Sequence, residues 1–222
     1  MWKSFARVAR RSLVVSGMVL SLAGAGCQDG KAGSGQPTTE TRTLGDFTAL
    51  ELHGTYVVEL ELGKPTKVEV VGDDNLVPLV ETTLVEGRLV VKTKEAIAPK
   101  TELVLRLSTP DVAVIEAEGA VALRVRGVSN AALRLRLAGV SGAIVEGKTG
   151  TLEAKLSGAG GIEAKGLEAT RATIDISGAG HADVNATDEL VVDVSGAGAV
   201  TYGGNPKSVK KTVSGVGSVT AR

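Results

Sequence analysis

Apolar and polar residues alternate along most of this chain. Leu152, Glu153, Ala154, Lys155 and Leu156 point in and out by turns, and Leu190, Val192 and Val194 keep the same rhythm around Val191 and Asp193. A period of two belongs to a strand with one face in a core and the other in solvent. The alternation breaks at glycine and then resumes. Five residues past each break come Leu123, Ala143, Ile162, Ala182, Val200 and Val219, and two further on come Val125, Val145, Ala164, Val184, Tyr202 and Ala221.

The breaks recur on a fixed spacing. Equivalent starts fall at Glu118, Ala138, Ser157, Ser177, Ser195 and Ser214, separated by 20, 19, 20, 18 and 19 residues. Each is followed by glycine: Gly119, Gly139, Gly158, Gly178, Gly196 and Gly215. A second glycine column, Gly127, Gly147, Gly166 and Gly204, closes the following strand, with Ala186 the exception. A self-similar period of this length marks a repeat architecture. Copies that run the same way around a coil pair in parallel, and equivalent residues then stack at roughly 4.8 Å. Identical corners bend alike, and glycine alone supplies positive φ at every level without strain. Where one backbone lies on the next there is also no room for a side chain. The expected fold is therefore all-β, a single-stranded right-handed parallel β-helix, the hand following from the bias of parallel connections. Its coils are 18–20 residues long, most regular over 118–222.

The stretch from Arg42 to Pro110 is less regular. LELHGTYVVEL sets Leu50, Leu52, Val58 and Leu60 around Gly54, and VEVVGDDNL sets Val68, Val70 and Leu76 around Gly72. GRLVVKT and ELVLRLSTP add further strand. These segments read as the first coils, carrying longer loops that cap the open end.

Composition agrees with a narrow interior: 43% of residues are hydrophobic but only 2% aromatic, and 29 are glycine. Charge is asymmetric. Met1 to Gly26 holds four basic residues, Lys3, Arg7, Arg10 and Arg11, and no acidic ones, which leaves 21 basic against 25 acidic. A mildly acidic body gives no electrostatic footprint for nucleic acid. The basic start, the apolar run SLVVSGMVLSLAG and the small residues before Cys27 make residues 1–26 an expected signal peptide. Cys27 is the only cysteine, so no intramolecular disulfide is available, and its place after LAGAG resembles a bacterial lipobox. Acylation there would anchor the protein to a membrane through more than one chain. Residues 27–41, rich in Gly, Ser, Thr and Pro, are expected to form a flexible tether to a domain at 42–222.

DFTALELHGTYVVEL, the GDDNL segment, GRLVVKT and the SGAG and SGVG copies ending in KTVSGVGSVTAR together resemble the bacterial DUF2807 family over about residues 42 to 222. The family is described as putative autotransporter adhesin, head GIN domain. The resemblance implies a right-handed β-helical exported domain, often on lipoproteins, and it offers no catalytic residues to carry over.

Candidate chemistry is sparse. Asp175 stands one level from Asp193, and two stacked carboxylates repel unless relieved, for example by Ca²⁺. Calcium takes six or more oxygen ligands, so a solvated pair is the plainer reading and no metal is assigned. Asp73, Asp74 and Asn75 offer oxygens to a cation or sugar, or simply make a turn after glycine. Glu116 with Arg136, and Lys155 with Asp175, are expected ion pairs on a solvated face. His53 and His181 sit at turns in different parts of the repeat, and the repeat serines lack a local base. No cofactor is implied. The expected function is a non-enzymatic lipoprotein of the bacterial cell envelope, at the outer membrane, presenting its faces to a glycan or an envelope protein. A β-helical polysaccharide lyase or hydrolase and a purely structural spacer are the alternatives.

Overall fold

The computed structural model describes residues 30–222. The expected leader and Cys27 lie outside the described residues. The strands are β1 (Lys31–Ala32), β2 (Pro37–Arg42), β3 (Ala49–Leu62), β4 (Lys67–Asp73), β5 (Val80–Val85), β6 (Arg88–Thr93), β7 (Ile97–Ala98), β8 (Val104–Thr109), β9 (Val114–Leu156), β10 (Ala159–Ile176), β11 (Ala179–Val194), β12 (Ala197–Gly203), β13 (Ser208–Val213) and β14 (Val216–Ala221). One turn of 3-10 helix, Val77–Leu79, interrupts them, and the described residues contain no α-helix. The protein is all-β.

From β9 onward every ladder is parallel. β10 lies on β9 with Ala159 beside Val140 and Ile176 beside Leu156; β11 lies on β10 with Ala179 beside Ala159 and Val194 beside Ile176. β12 and β13 then cover the two halves of β11, and β14 covers β12. β9 spans 43 residues, which fully extended would reach roughly 140 Å. It instead folds back on itself within 20 residues, so that the backbone of Gly139 rests on that of Gly119. The corners are bonded from level to level: the N–H groups of Ser157, Ser177, Ser195 and Ser214 donate to the carbonyls of Leu137, Leu156, Ile176 and Val194, each at 2.9 Å.

The alternation drawn from the sequence sorts the side chains up to the last described level, where Tyr202 and Val219 are half-buried and Ala221 is exposed. Leu123, Ala143, Ile162, Ala182 and Val200 are buried, as are Val125, Val145, Ala164 and Val184, while Glu153, Lys155 and Asp193 are exposed. The six corner glycines do stack, but for one of the two expected reasons only. Gly119 and Gly139 have φ of 123° and 83°; Gly158, Gly178, Gly196 and Gly215 lie outside the left-handed region. What all six share is contact with the level below. A Cβ on any of them would overlap the carbonyl oxygen of the preceding corner glycine, in the series Gly54, Gly119, Gly139, Gly158, Gly178 and Gly196.

The amino-terminal part departs from a simple succession of coils. β3 sits directly against β9, Gly54 beside Gly119, an offset of 65 residues. Its other edge is taken by two shorter parallel strands, β6 beside Ala49–Leu52 and β8 beside Val57–Leu62. β4, expected to be a coil of the stack, instead runs antiparallel on the far edge of β8. The connection explains the reversal: only the four residues Gly63–Thr66 separate β3 from β4, and a parallel return needs a crossover of a dozen or more. β5 and β6 likewise form an antiparallel hairpin around Glu86 and Gly87, both at positive φ, the geometry of a type I′ turn.

Within the described residues, the stretch 30–41 of the expected tether carries strand pairing rather than running free. β2 pairs antiparallel with β4 from Pro37 beside Asp73 to Arg42 beside Val68, and β1 pairs with β7. β2 buries none of its six residues, so it is held by backbone hydrogen bonds and leaves no hydrophobic signature. β2 and β4 extend the sheet beyond β8 and cover that end of the core, where Phe47, Val68 and Val70 are buried.

Candidate functional site

The Asp73–Asn75 cluster at the end of β4 is spent on the protein itself. Asp73 is fully buried. One of its oxygens accepts the Lys100 and Thr101 N–H groups at 2.8 and 3.2 Å, and the other accepts the Gly35 N–H at 2.9 Å. Burial works to raise its pKa, but the backbone donors Lys100, Thr101 and Gly35 outweigh it and hold the carboxyl below its ordinary value. Asp74 accepts the Ser34 hydroxyl, and Asn75 both accepts the Ser34 N–H and donates to the Ala32 carbonyl. The trio thus fastens Ala32–Gly35 and Lys100–Thr101 to the fold, with no carboxylate oxygen of Asp73 left over for a ligand.

Asp175 and Asp193 are adjacent in register on β10 and β11, as the repeat requires. Lys155 stands on the other side of Asp175, its Nζ 3.1 Å from Oδ2. The repulsion is therefore relieved by a lysine one level below. Among the described residues no three His, Asp or Glu side chains are grouped to hold a metal ion.

Two outward regions remain. On the face before the corner, Glu116 accepts from Arg136 at 2.7 Å and from Arg88 at 2.8 Å. Arg88 also reaches Glu51, and His53 lies between Glu51 (2.7 Å) and Glu118 (3.3 Å). Burial acts to raise the Glu116 pKa, yet its hydrogen bonds from Arg136 and Arg88, reinforced by their charges, bring it below the ordinary value. The Glu116–Arg136 pair was expected from the period. Glu51 and Arg88 were not, because strand β6 enters beside β3 out of sequence order. The groove along this face encloses about 510 Å³.

The second region lies past the corner, on the outward face of β3, β9 and β10. Ala120, Ala122, Gly142 and Gly161 leave a shallow trough of about 1040 Å³. The Pro99–Leu103 segment borders it at one end and His181 at the other. The His181 ring lies over Gly161, where a Cβ would meet the imidazole, and this covers the glycine. Glu59 and Arg124 of the neighbouring outward column also line it. Only the trough's small residues are legible as such in the sequence; the border at Pro99–Leu103 comes from a loop whose path the repeat does not specify.

Parallel strands stacked at an offset of 18–20 residues, with apolar columns inside and two long outward faces, define a repeat-built protein whose usable chemistry lies on its sides. The chain belongs to the DUF2807 family, "Putative auto-transporter adhesin, head GIN domain", whose model matches residues 46–206. Among solved structures it is similar to a "putative adhesin" from Bacteroides fragilis NCTC 9343, at 20% identity and TM-score 0.70, covering 87% of this chain and 100% of that one. A second "putative adhesin", from Parabacteroides merdae ATCC 43184, aligns at 21% identity and TM-score 0.55, covering 86% and 98%. At these identities the likeness concerns the fold. No curated protein matches the chain.

Proposed function

We propose that this is a non-enzymatic binding protein of the bacterial cell envelope, built as a right-handed parallel β-helix and anchored through a lipidated Cys27. The hand rests on the strong bias of connections between parallel strands. The family description supports an adhesin-like role. The observation that carries the binding assignment is the trough past the corner, where Ala120, Ala122 and Gly142 keep the outward face low over two adjacent levels, with exposed Val140 beside them. A partner with its own repeat, such as a glycan or an extended segment of an envelope protein, can meet equivalent positions at a constant rise of about 4.8 Å.

The test is a binding screen of the purified protein against a glycan array and envelope extracts, repeated with Ala122→Arg. Ala122 is exposed, so arginine there fills the trough without entering the core. Saturable binding that the substitution abolishes supports the assignment; binding that survives it places the partner elsewhere, and turnover of a polysaccharide replaces it with an enzymatic role. Palmitate labelling of the full chain and of Cys27→Ser tests the anchor separately, since continued incorporation by the variant overturns lipidation at Cys27.

A further inference from the structure

The last described level of the stack carries a charge where the core column would continue. β13 pairs on one side with β11, and β14 on one side with β12, so among the described residues both present an open parallel edge. Such an edge, with its unpaired N–H and C=O groups at a matched period, is a template for another sheet. Val213 and Val216 beside it are 41% and 85% exposed, adding an apolar incentive to associate.

Lys211 opposes it. It lies beside Val192, which lies beside Ile174, which lies beside Ala154, and those three are buried in one inward column. A lysine at the fourth position cannot turn outward without breaking the alternation. Its stem lies over the end of the core instead, and its ammonium reaches the opposite wall. There Nζ donates to the Val219 carbonyl at 3.1 Å and stands 4.8 Å from the centre of the Tyr202 ring. Val219 and Tyr202 sit on the inward columns above Val200 and Val184, so the side chain crosses the mouth of the core from one wall to the other. Arg222 holds the same end down. It bonds Asp183 through two contacts of 2.7 and 3.0 Å, reaching from the end of β14 past β12 to β11.

We propose that Lys211 is an end plug that keeps a second copy of this chain from stacking on the β13–β14 edge. A copy seated there would take the ammonium out of water while its hydrogen bond goes to a neutral carbonyl, and a buried charge without an opposite partner is strongly unfavourable. Valine at this position would instead continue the column and leave the edge apolar.

Sedimentation velocity of the purified full chain tests this. Wild type and Lys211→Arg sediment as monomer over a wide concentration range. Lys211→Val associates, lowering the self-dissociation constant by about tenfold or more, and adding Val216→Glu returns it to monomer. Lys211→Met keeps the stem and removes only the charge, so it gives the same reading should the valine variant not fold. Folded Lys211→Val and Lys211→Met proteins that stay monomeric overturn the proposal. So does a wild-type protein that already associates and is dispersed by Val216→Glu.

Discussion

Glycine at the corners can be required by backbone angle or by lack of space, and three alanine substitutions separate the two. Gly178 is outside the left-handed region, but its Cβ would overlap the Gly158 carbonyl oxygen, a backbone atom that no rotamer change can move. Gly63 is the reverse case, with φ of 75° and nothing within 4 Å of the added carbon. Gly142 has neither constraint, its nearest neighbour being the Gly161 carbonyl at 3.8 Å. Overpacking a tight site costs about 1–3 kcal/mol and sometimes more. Because the obstacle at Gly178 is main chain, and relief means separating two bonded levels, its cost belongs at about 3 kcal/mol or above. Left-handed alanine at position 63 costs about 1–2 kcal/mol, partly offset by the stiffer unfolded chain, which contributes roughly 0.4–1 kcal/mol. Gly142→Ala keeps that contribution without a penalty and is neutral or slightly stabilising. For a body of this size the Gly178 variant melts about 6–12 °C below wild type. Equilibrium urea unfolding followed by circular dichroism gives the ranking 178, then 63, then 142. If Gly63→Ala proved the most damaging, or Gly178→Ala matched Gly142→Ala, close approach would not be what the corners select for.

Further outcomes follow from the charged and phenolic groups. The Asp73 carboxyl is held below its ordinary value in the folded state, so its stabilisation is present above that value and is lost as pH falls through the folded one. The protection factors of the Gly35, Lys100 and Thr101 amides, taken relative to the intrinsic exchange rate at each pH, should therefore fall in acid, and in Asp73→Asn they should be lower at neutral pH with a weaker acid dependence; unchanged protection in the variant would disprove the fastening role. Glu116 has the same sign, its pKa lowered by Arg136 and Arg88, so Glu116→Gln should flatten the acid limb of the urea midpoint while lowering neutral-pH stability by only about 1 kcal/mol or less, as for partly exposed pairs. Tyr56 donates its hydroxyl to the His53 carbonyl, and burial pushes its pKa up from 10.0 to about 12. In a Tyr202→Phe background, phenolate absorbance should stay flat past pH 10 while the fold persists, and the fold should weaken as pH climbs above 10; a normal titration in folded protein contradicts that burial.

The inward columns were readable because burial on a pleated strand has a period of two and the repeat keeps it in phase. Leu152, Ala154 and Leu156, or Leu190, Val192 and Val194, follow from that alone. Features that depend on what approaches from elsewhere were not readable. β2 has no buried face, so its pairing with β4 leaves no trace in hydropathy. The direction of β4 depends on the length of one connection, while its buried Val68 and Val70 look the same in either direction. Asp73 looked like a ligand residue because its donors come from positions 35, 100 and 101, far away along the chain. Of the outward charges, the pairs Glu116–Arg136 and Lys155–Asp175 were legible at one period's separation, whereas Arg88 enters that network through the out-of-order strand β6.

The seam between β3 and β9 sets an order of assembly. Each later level closes over 18–20 residues, but Gly54 meets Gly119 only after 65 have been made. Loop-closure entropy grows as (3/2)RT ln n, so this one junction costs about 1 kcal/mol more than any single later coil. β6 and β8 meet the opposite edge of β3 at shorter offsets than β9 does, Ala49 beside Arg88 and Val57 beside Val104. Every later level, by contrast, needs only a local closure onto the one before it. A chain made amino-terminus first thus has the residues of this long closure in hand before those of the shorter turns are added.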